Sequence, residues 1–143
     1  MYGIVIFKLI YNLFKYRTRM EFKIDTRDSF STITPVIDRI SAKLTGEIRQ
    51  KCEEMRQSGS KNFIIDLQHC MEIDTAALSE LIKLHEESYS MDQSIVFTGI
   101  NGIVMTGLKE NETDLLINVA PRMDEAIDII SMEILERDLL SEE

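Results

Sequence analysis

Cysteine and histidine are scarce in this chain: 143 residues carry only Cys52, Cys70, His69 and His85. Structural zinc takes about four such ligands, and these four are scattered rather than clustered, so no metal site is expected. Two distant cysteines make no disulfide framework, which favours a reducing, cytoplasmic setting. Gly99, Gly102 and Gly107 do not form a phosphate-cradling pattern. No Gly-Lys-Ser/Thr triplet occurs, which argues against intrinsic nucleotide hydrolysis. No cofactor is expected. Internal repeats and low-complexity linkers are also missing, and the length suits one domain.

Basic residues are in the minority, 16 against 25 acidic, for a net charge of −9. Their distribution matters more than the total. Residues 1–19 hold Lys8, Lys15, Arg17 and Arg19 and no acid; from Met20 onward 12 basic residues face 25 acidic ones, a net −13. Such a field repels phosphate backbones and excludes a nucleic-acid partner, while suiting a basic protein surface. Much of it serves solubility alone.

The opening segment, MYGIVIFKLIYNLFKYRTR, differs from everything after it. Its apolar run from Tyr2 to Phe14 is interrupted by Lys8 and Asn12 and falls short of the roughly 20 residues that a spanning helix needs. A secretory signal would have a charged start and a small-residue cleavage site, and neither is present. Two readings stand: an in-plane anchor touching a membrane surface, or a loosely held extension upstream of a true start at Met20. Residues 1–19 are therefore set apart from a domain at 20–143.

From Met20 short strands alternate with amphipathic helices. Glu21–Asp25 has the period of a half-buried strand. Ser31–Ile37 reads as a second strand, which Pro35 demotes to an edge or irregular position, and the two should pair as an antiparallel hairpin. Ser41 caps a helix to about Arg56 with Leu44, Ile48, Cys52 and Met55 on one stripe, stopped by Gly59. Asn62–Leu67 reads as a central strand. After a loop, Asp74 precedes a helix whose apolar side is read as Leu78, Leu81, Ile82, His85 and Tyr89. Ser94–Thr98 is the next strand, Ile100–Lys109 a short helix and Leu115–Ile117 a fifth strand. Pro121 is placed in the first turn of a last helix, with Met123, Ala126, Ile127, Ile130 and Ile134 inward. Five strands and four helices in this order imply one α/β domain with right-handed crossovers.

The strand Phe63-Ile64-Ile65-Asp66-Leu67, a short loop, and Ile73-Asp74-Thr75-Ala76-Ala77-Leu78 together resemble the signature of STAS domains. In that family a strand ending in Asp-Leu is followed by Asp-Ser-Ser-Gly-Leu or Asp-Thr-Xaa-Gly-Leu at a helix start. Ile95-Val96-Phe97-Thr98-Gly99-Ile100 is similar to the family's next strand and turn. Glu125-Ala126-Ile127 is similar to the start of its closing helix. The resemblance spans about Met20 to Leu135 and implies a mixed five-stranded sheet packed with four helices.

The anti-sigma factor antagonist type implies a binding protein rather than an enzyme. Its partner would be an anti-sigma factor that is also a serine/threonine kinase, and the phosphorylated residue would be Thr75. Contact residues would be Asp38, Glu72, Ile73, Asp74, Thr75, Leu78 and Ser79. The motif departs from the family at Ala76 and Ala77, which replace a serine and a glycine. A second STAS type, an accessory subunit on the ATPase of a lipid-transporting ABC complex, also tends to read Asp-Thr here. By spacing alone, Asp74-Thr75 is a helix cap and its first helical residue. His69 and Cys70 flank the same loop but lack the third partner of a nucleophilic site.

Overall fold

The computed structural model describes residues 2–17 and 20–142, with side chains from 3–10 and 20–142. Of the opening segment, Met1, Thr18 and Arg19 lie outside the described residues, as does Glu143 at the acidic end. Helix α1, Tyr2–Arg17, stands before the domain. The domain opens with β1, Glu21–Thr26, turning back into β2, Ser31–Val36. The expected antiparallel hairpin is present, with Ile24 opposite Ile33 and Phe22 opposite Pro35.

β2 is not an edge strand. It lies between β1 and β4, Phe63–Asp66, in a sheet ordered β1-β2-β4-β6-β7. Its parallel pairing with β4 covers only Ser31–Ile33, so Pro35 lies beyond that ladder, where a missing N–H costs nothing on the β4 side. β6 is Ile95–Thr98, parallel to β4, and β7 is Val119–Ala120, parallel to β6. Every residue of β4 and β6 is buried, as befits central parallel strands.

Four helices pack on this sheet. In α2, Ala42–Gln57, the Ser41 hydroxyl accepts from Leu44 N at 3.1 Å, and Leu44, Ile48 and Cys52 are buried. Gly59 follows with φ +104, the left-handed turn that glycine takes cheaply. Helix α3, Thr75–Ser90, buries Ala77, Leu78, Leu81, Leu84 and Ser88. The inward face is thus rotated from the expected one. Leu84 and Ser88 face the core, whereas His85 and Tyr89 sit half-buried at its border, where Tyr89 meets Glu133 of the last helix.

Helix α4, Gly102–Glu110, is followed by a 3-10 turn at Thr113–Leu115. The fifth strand is therefore not at Leu115–Ile117. Glu112 adopts φ 57 and turns the chain, leaving Leu115 and Leu116 on the surface while Ile117 alone is buried, and pairing begins two residues later at Val119. Helix α5, Met123–Ser141, also starts later than expected. Arg122 is its cap, with Ala126 N donating to Arg122 O at 3.0 Å, so Pro121 precedes the cap.

The core has two parts. Ile33, Phe63, Ile65 and Phe97 meet Leu44, Ile48, Leu81 and Leu84 beneath α2 and α3. On the opposite face Ile64, Val96 and Ala120 meet Ala126 and Ile130 of α5. Each large aliphatic buried this way contributes about 1.5–3 kcal/mol. Two further short strands, β3 at Arg39–Ile40 and β5 at Glu72–Ile73, pair in parallel as a separate ladder that the sequence did not announce.

Candidate functional site

The β3–β5 ladder builds the surface around Thr75. Leu67 N donates to Thr98 O at 2.9 Å, so the chain leaves β4 attached to β6. Asp66 then tightens the turn: its carboxylate accepts from Gln68 N at 3.1 Å and from Gln68 Nε2 at 2.8 Å. Gly99 packs against that carboxylate with φ +71, and no side chain fits there. The Asp38 carbonyl accepts from Met71 N at 2.6 Å and Glu72 N at 3.2 Å, which draws the loop onto the end of β2. Asn101 adds a third tie, donating from Nδ2 to Cys70 O at 3.1 Å while capping α4 through Val104 N at 2.8 Å.

Asp74 ends this run in extended backbone, φ −94 and ψ 162, and its Oδ1 accepts from Ala77 N at 3.0 Å. That bond satisfies one of the orphan donors at the start of α3 and sets a carboxylate at the positive end of the helix dipole. Thr75 is consequently the first helical residue, and it is exposed, as are Ala76 and Ser79. Asp38 and Glu72 are exposed as well; Ile73 and Asp74 are half-buried. Leu78 differs from the rest of the expected contact set. It is only 7% exposed and belongs to the core beneath the surface, because it lies on the same helical row as Leu81.

The acidic groups are partly offset. Arg39 Nη2 lies 3.0 Å from Glu72 Oε2, with both side chains more than half exposed, a pair worth about 1 kcal/mol at most. Behind the strand, α4 approaches so closely that a Cβ on Gly107 would meet Ile73 Cγ2 at 2.8 Å. Arg39, Met71 and Asn101 are site features that the sequence reading missed. Asn101 had a usable signal, an N-cap residue just before a helix. Met71, 52% exposed, had none.

His69 is half-buried and Cys70 fully buried. Burial pushes the Cys70 thiol up to about 11, with Asp38 and Asp66 adding to the rise. The Cys70 thiol is therefore not an activated nucleophile. What the loop leads to is a hydroxyl at a helix start, with Glu72 and Asp74 shortly before it in the chain, on a surface braced by two strands and two caps.

The strand order and the helix start at Thr75 define a mixed α/β domain with an exposed hydroxyl at the head of α3. The STAS domain family model matches residues 21–126, and the chain belongs to that family. Its fold is similar to that of TM1081 from Thermotoga maritima, with 14% identity over 77% of this chain and 94% of that one at a TM-score of 0.65. An anti-sigma factor antagonist from Mycobacterium paratuberculosis is similar at 12% identity, covering 79% and 95%, with a TM-score of 0.61. The antagonist SpoIIAA of Bacillus, in its unphosphorylated form, is similar at 13% identity, covering 78% and 96%, with a TM-score of 0.58. No curated protein matches the chain by sequence. Among the described residues no helix is long and apolar enough to cross a membrane.

Proposed function

We propose that this chain is an anti-sigma factor antagonist in a cytoplasmic partner-switching pathway, a binding protein regulated by phosphorylation of Thr75. Its partner would be an anti-sigma factor that is also a serine/threonine kinase. One observation carries the reading: Thr75 is exposed as the first residue of α3, directly after the capping Asp74. The similar SpoIIAA has been solved both unphosphorylated and phosphorylated, which supports a switch at the level of the folded domain.

The physical chemistry of that position suits a switch. A phosphate adds about −1.5 to −2 charge. At a helix N-terminus it meets exposed N–H groups and the positive dipole end, so α3 survives the modification. The chain before it is already acidic: Glu72 and Asp74 lead into Thr75, and the Asp38 main chain is bonded to the same loop at Met71 and Glu72. A partner covering Asp38, Glu72, Asp74, Thr75 and Ser79, and reaching half-buried Ile73, would have to desolvate or oppose the added charge. Leu78 would act from below, holding the helix start in place.

The experiment is affinity purification of the chain from its native cells, with mass spectrometry of Thr75 and of whatever is recovered. A serine/threonine kinase bound to the unphosphorylated form, and loss of at least about tenfold in affinity (~1.4 kcal/mol) on Thr75→Glu, is expected. Recovery of an ABC transporter ATPase with Thr75 unmodified, or unchanged kinase binding by Thr75→Glu, overturns the reading.

A further inference from the structure

Helix α1 carries an apolar surface that no other described residue covers. Ile4, Val5, Ile6, Phe7, Leu9 and Ile10 are each between 55% and 70% exposed. At 16 residues, an isolated helix is marginal in water even with good propensity. Leaving six large apolar groups wet adds to that cost. Some surface must cover them.

The pattern of the helix decides what kind. At about 100° per residue, these six positions spread around most of the circumference rather than along one seam. A second protein helix would need a narrow stripe. Lys8, Asn12 and Lys15, at spacings of four and three, fall on one row of the helix, and Arg17, its last residue, falls on the opposite side. A basic helix rich in aliphatic and aromatic residues suits the plane of a lipid interface.

Charge selects the lipid. Residues 1–19 hold four cations and no acid, whereas the rest of the chain is net −13. An anionic surface attracts the first segment and repels the second, so contact falls to α1 alone. The 16 described residues of the helix measure about 24 Å, short of a hydrocarbon core of about 30 Å.

We propose that α1 docks this protein onto an anionic lipid surface, lying in its plane with its apolar residues among acyl chains and the cations of the segment at the headgroups. The proposal is independent of any role for Thr75.

Its test uses the full chain, unphosphorylated and without partner, in co-sedimentation with phosphatidylcholine vesicles that contain or lack phosphatidylglycerol. Binding at least tenfold stronger to the anionic vesicles, and weakened by added salt, is expected. Lys8→Gln with Lys15→Gln should weaken it by about twenty-fivefold, at about fivefold per cation. Phe7→Asp should abolish it while circular dichroism and the unfolding midpoint of the domain stay the same. Absence of sedimentation by the unaltered chain overturns the proposal. So does binding indifferent to Phe7→Asp. A dimer mass in light scattering with no vesicle binding would also overturn it, and would assign the apolar surface of α1 to a second copy of the chain.

Discussion

The main-chain N–H of Asp74 donates to the carbonyl of Ile40 at 3.0 Å, so the residue that caps α3 is itself held by the end of β3. One residue thus couples a strand end, a helix start and the hydroxyl of Thr75. Replacing Asp74 by Ala keeps the backbone bond and removes the cap to Ala77 N. The expected loss is about 1 kcal/mol in urea unfolding, with faster amide exchange at Ala77. Asp74→Asn, which can still accept, should fall close to the unaltered protein. Equal losses for Ala and Asn would show that the charge rather than the cap matters.

Gly99 offers a sharper structural test, because two penalties coincide there. Its φ of +71 disfavours any side chain, and a Cβ would run into Asp66 Oδ1 and approach Gln68 N at 3.0 Å. Gly99→Ala should therefore cost about 2 kcal/mol or more. Since Asp66 organises the loop that leads to Thr75, partner affinity should fall with stability. Gly46→Ala, in a helix with open space around it, should be neutral or slightly stabilising by the same assay.

His85 predicts a pH dependence. Its ring packs on Tyr89 with centroids 4.5 Å apart, and among the described residues its buried Nε2 has no hydrogen-bond partner. Burial lowers its pKa below the ordinary 6.5, against the opposing pull of Glu133 and Glu86. The folded state thus prefers the neutral imidazole, and the unfolded chain binds the proton more readily. The stability due to this residue is complete above about pH 6.5 and is lost as pH falls through the lowered folded-state value. Urea unfolding of His85→Phe beside the unaltered protein should show a smaller loss on acidification. Parallel pH profiles would refute the assignment.

The two thiols should be silent in the native state. Burial is the largest cause in both, raising Cys52 to about 12 and Cys70 to about 11. Both remain protonated near neutral pH, and the thiolate is the reactive form. Alkylation by iodoacetamide should be slow for the folded protein and fast for both residues in urea. Rapid native labelling of Cys70 would mean that the loop before Thr75 opens readily.

Much of the architecture was legible because it rests on local chemistry. Ser41 and Asp74 cap where they were expected, since a short polar side chain before an apolar run has few better uses. Ile64 and Ile65 both read as buried because a strand covered on two faces has no polar side. The motif around Asp74-Thr75 pointed to the STAS family, and the family match and the fold agree with it. The misplaced fifth strand had the opposite origin. Leu115-Leu116-Ile117 is apolar enough for a strand, but its first two residues are exposed because the chain turns at Glu112.

The sequence by itself determined the single α/β domain, the opening hairpin, the two central strands, the caps at Ser41 and Asp74, and the placing of Thr75 at a helix start. Each follows from interactions within a few residues, where spacing and side-chain type suffice. Only the tertiary structure decided that Leu84 rather than His85 faces the core, that β2 is interior despite Pro35, and that β3 and β5 pair beneath the site. Those outcomes depend on which distant backbone or helix arrives alongside. Two-residue strands such as Arg39–Ile40 and Glu72–Ile73 have too few side chains to reveal a period, and their pairing exists only once residues some thirty positions apart are brought together by the folded core.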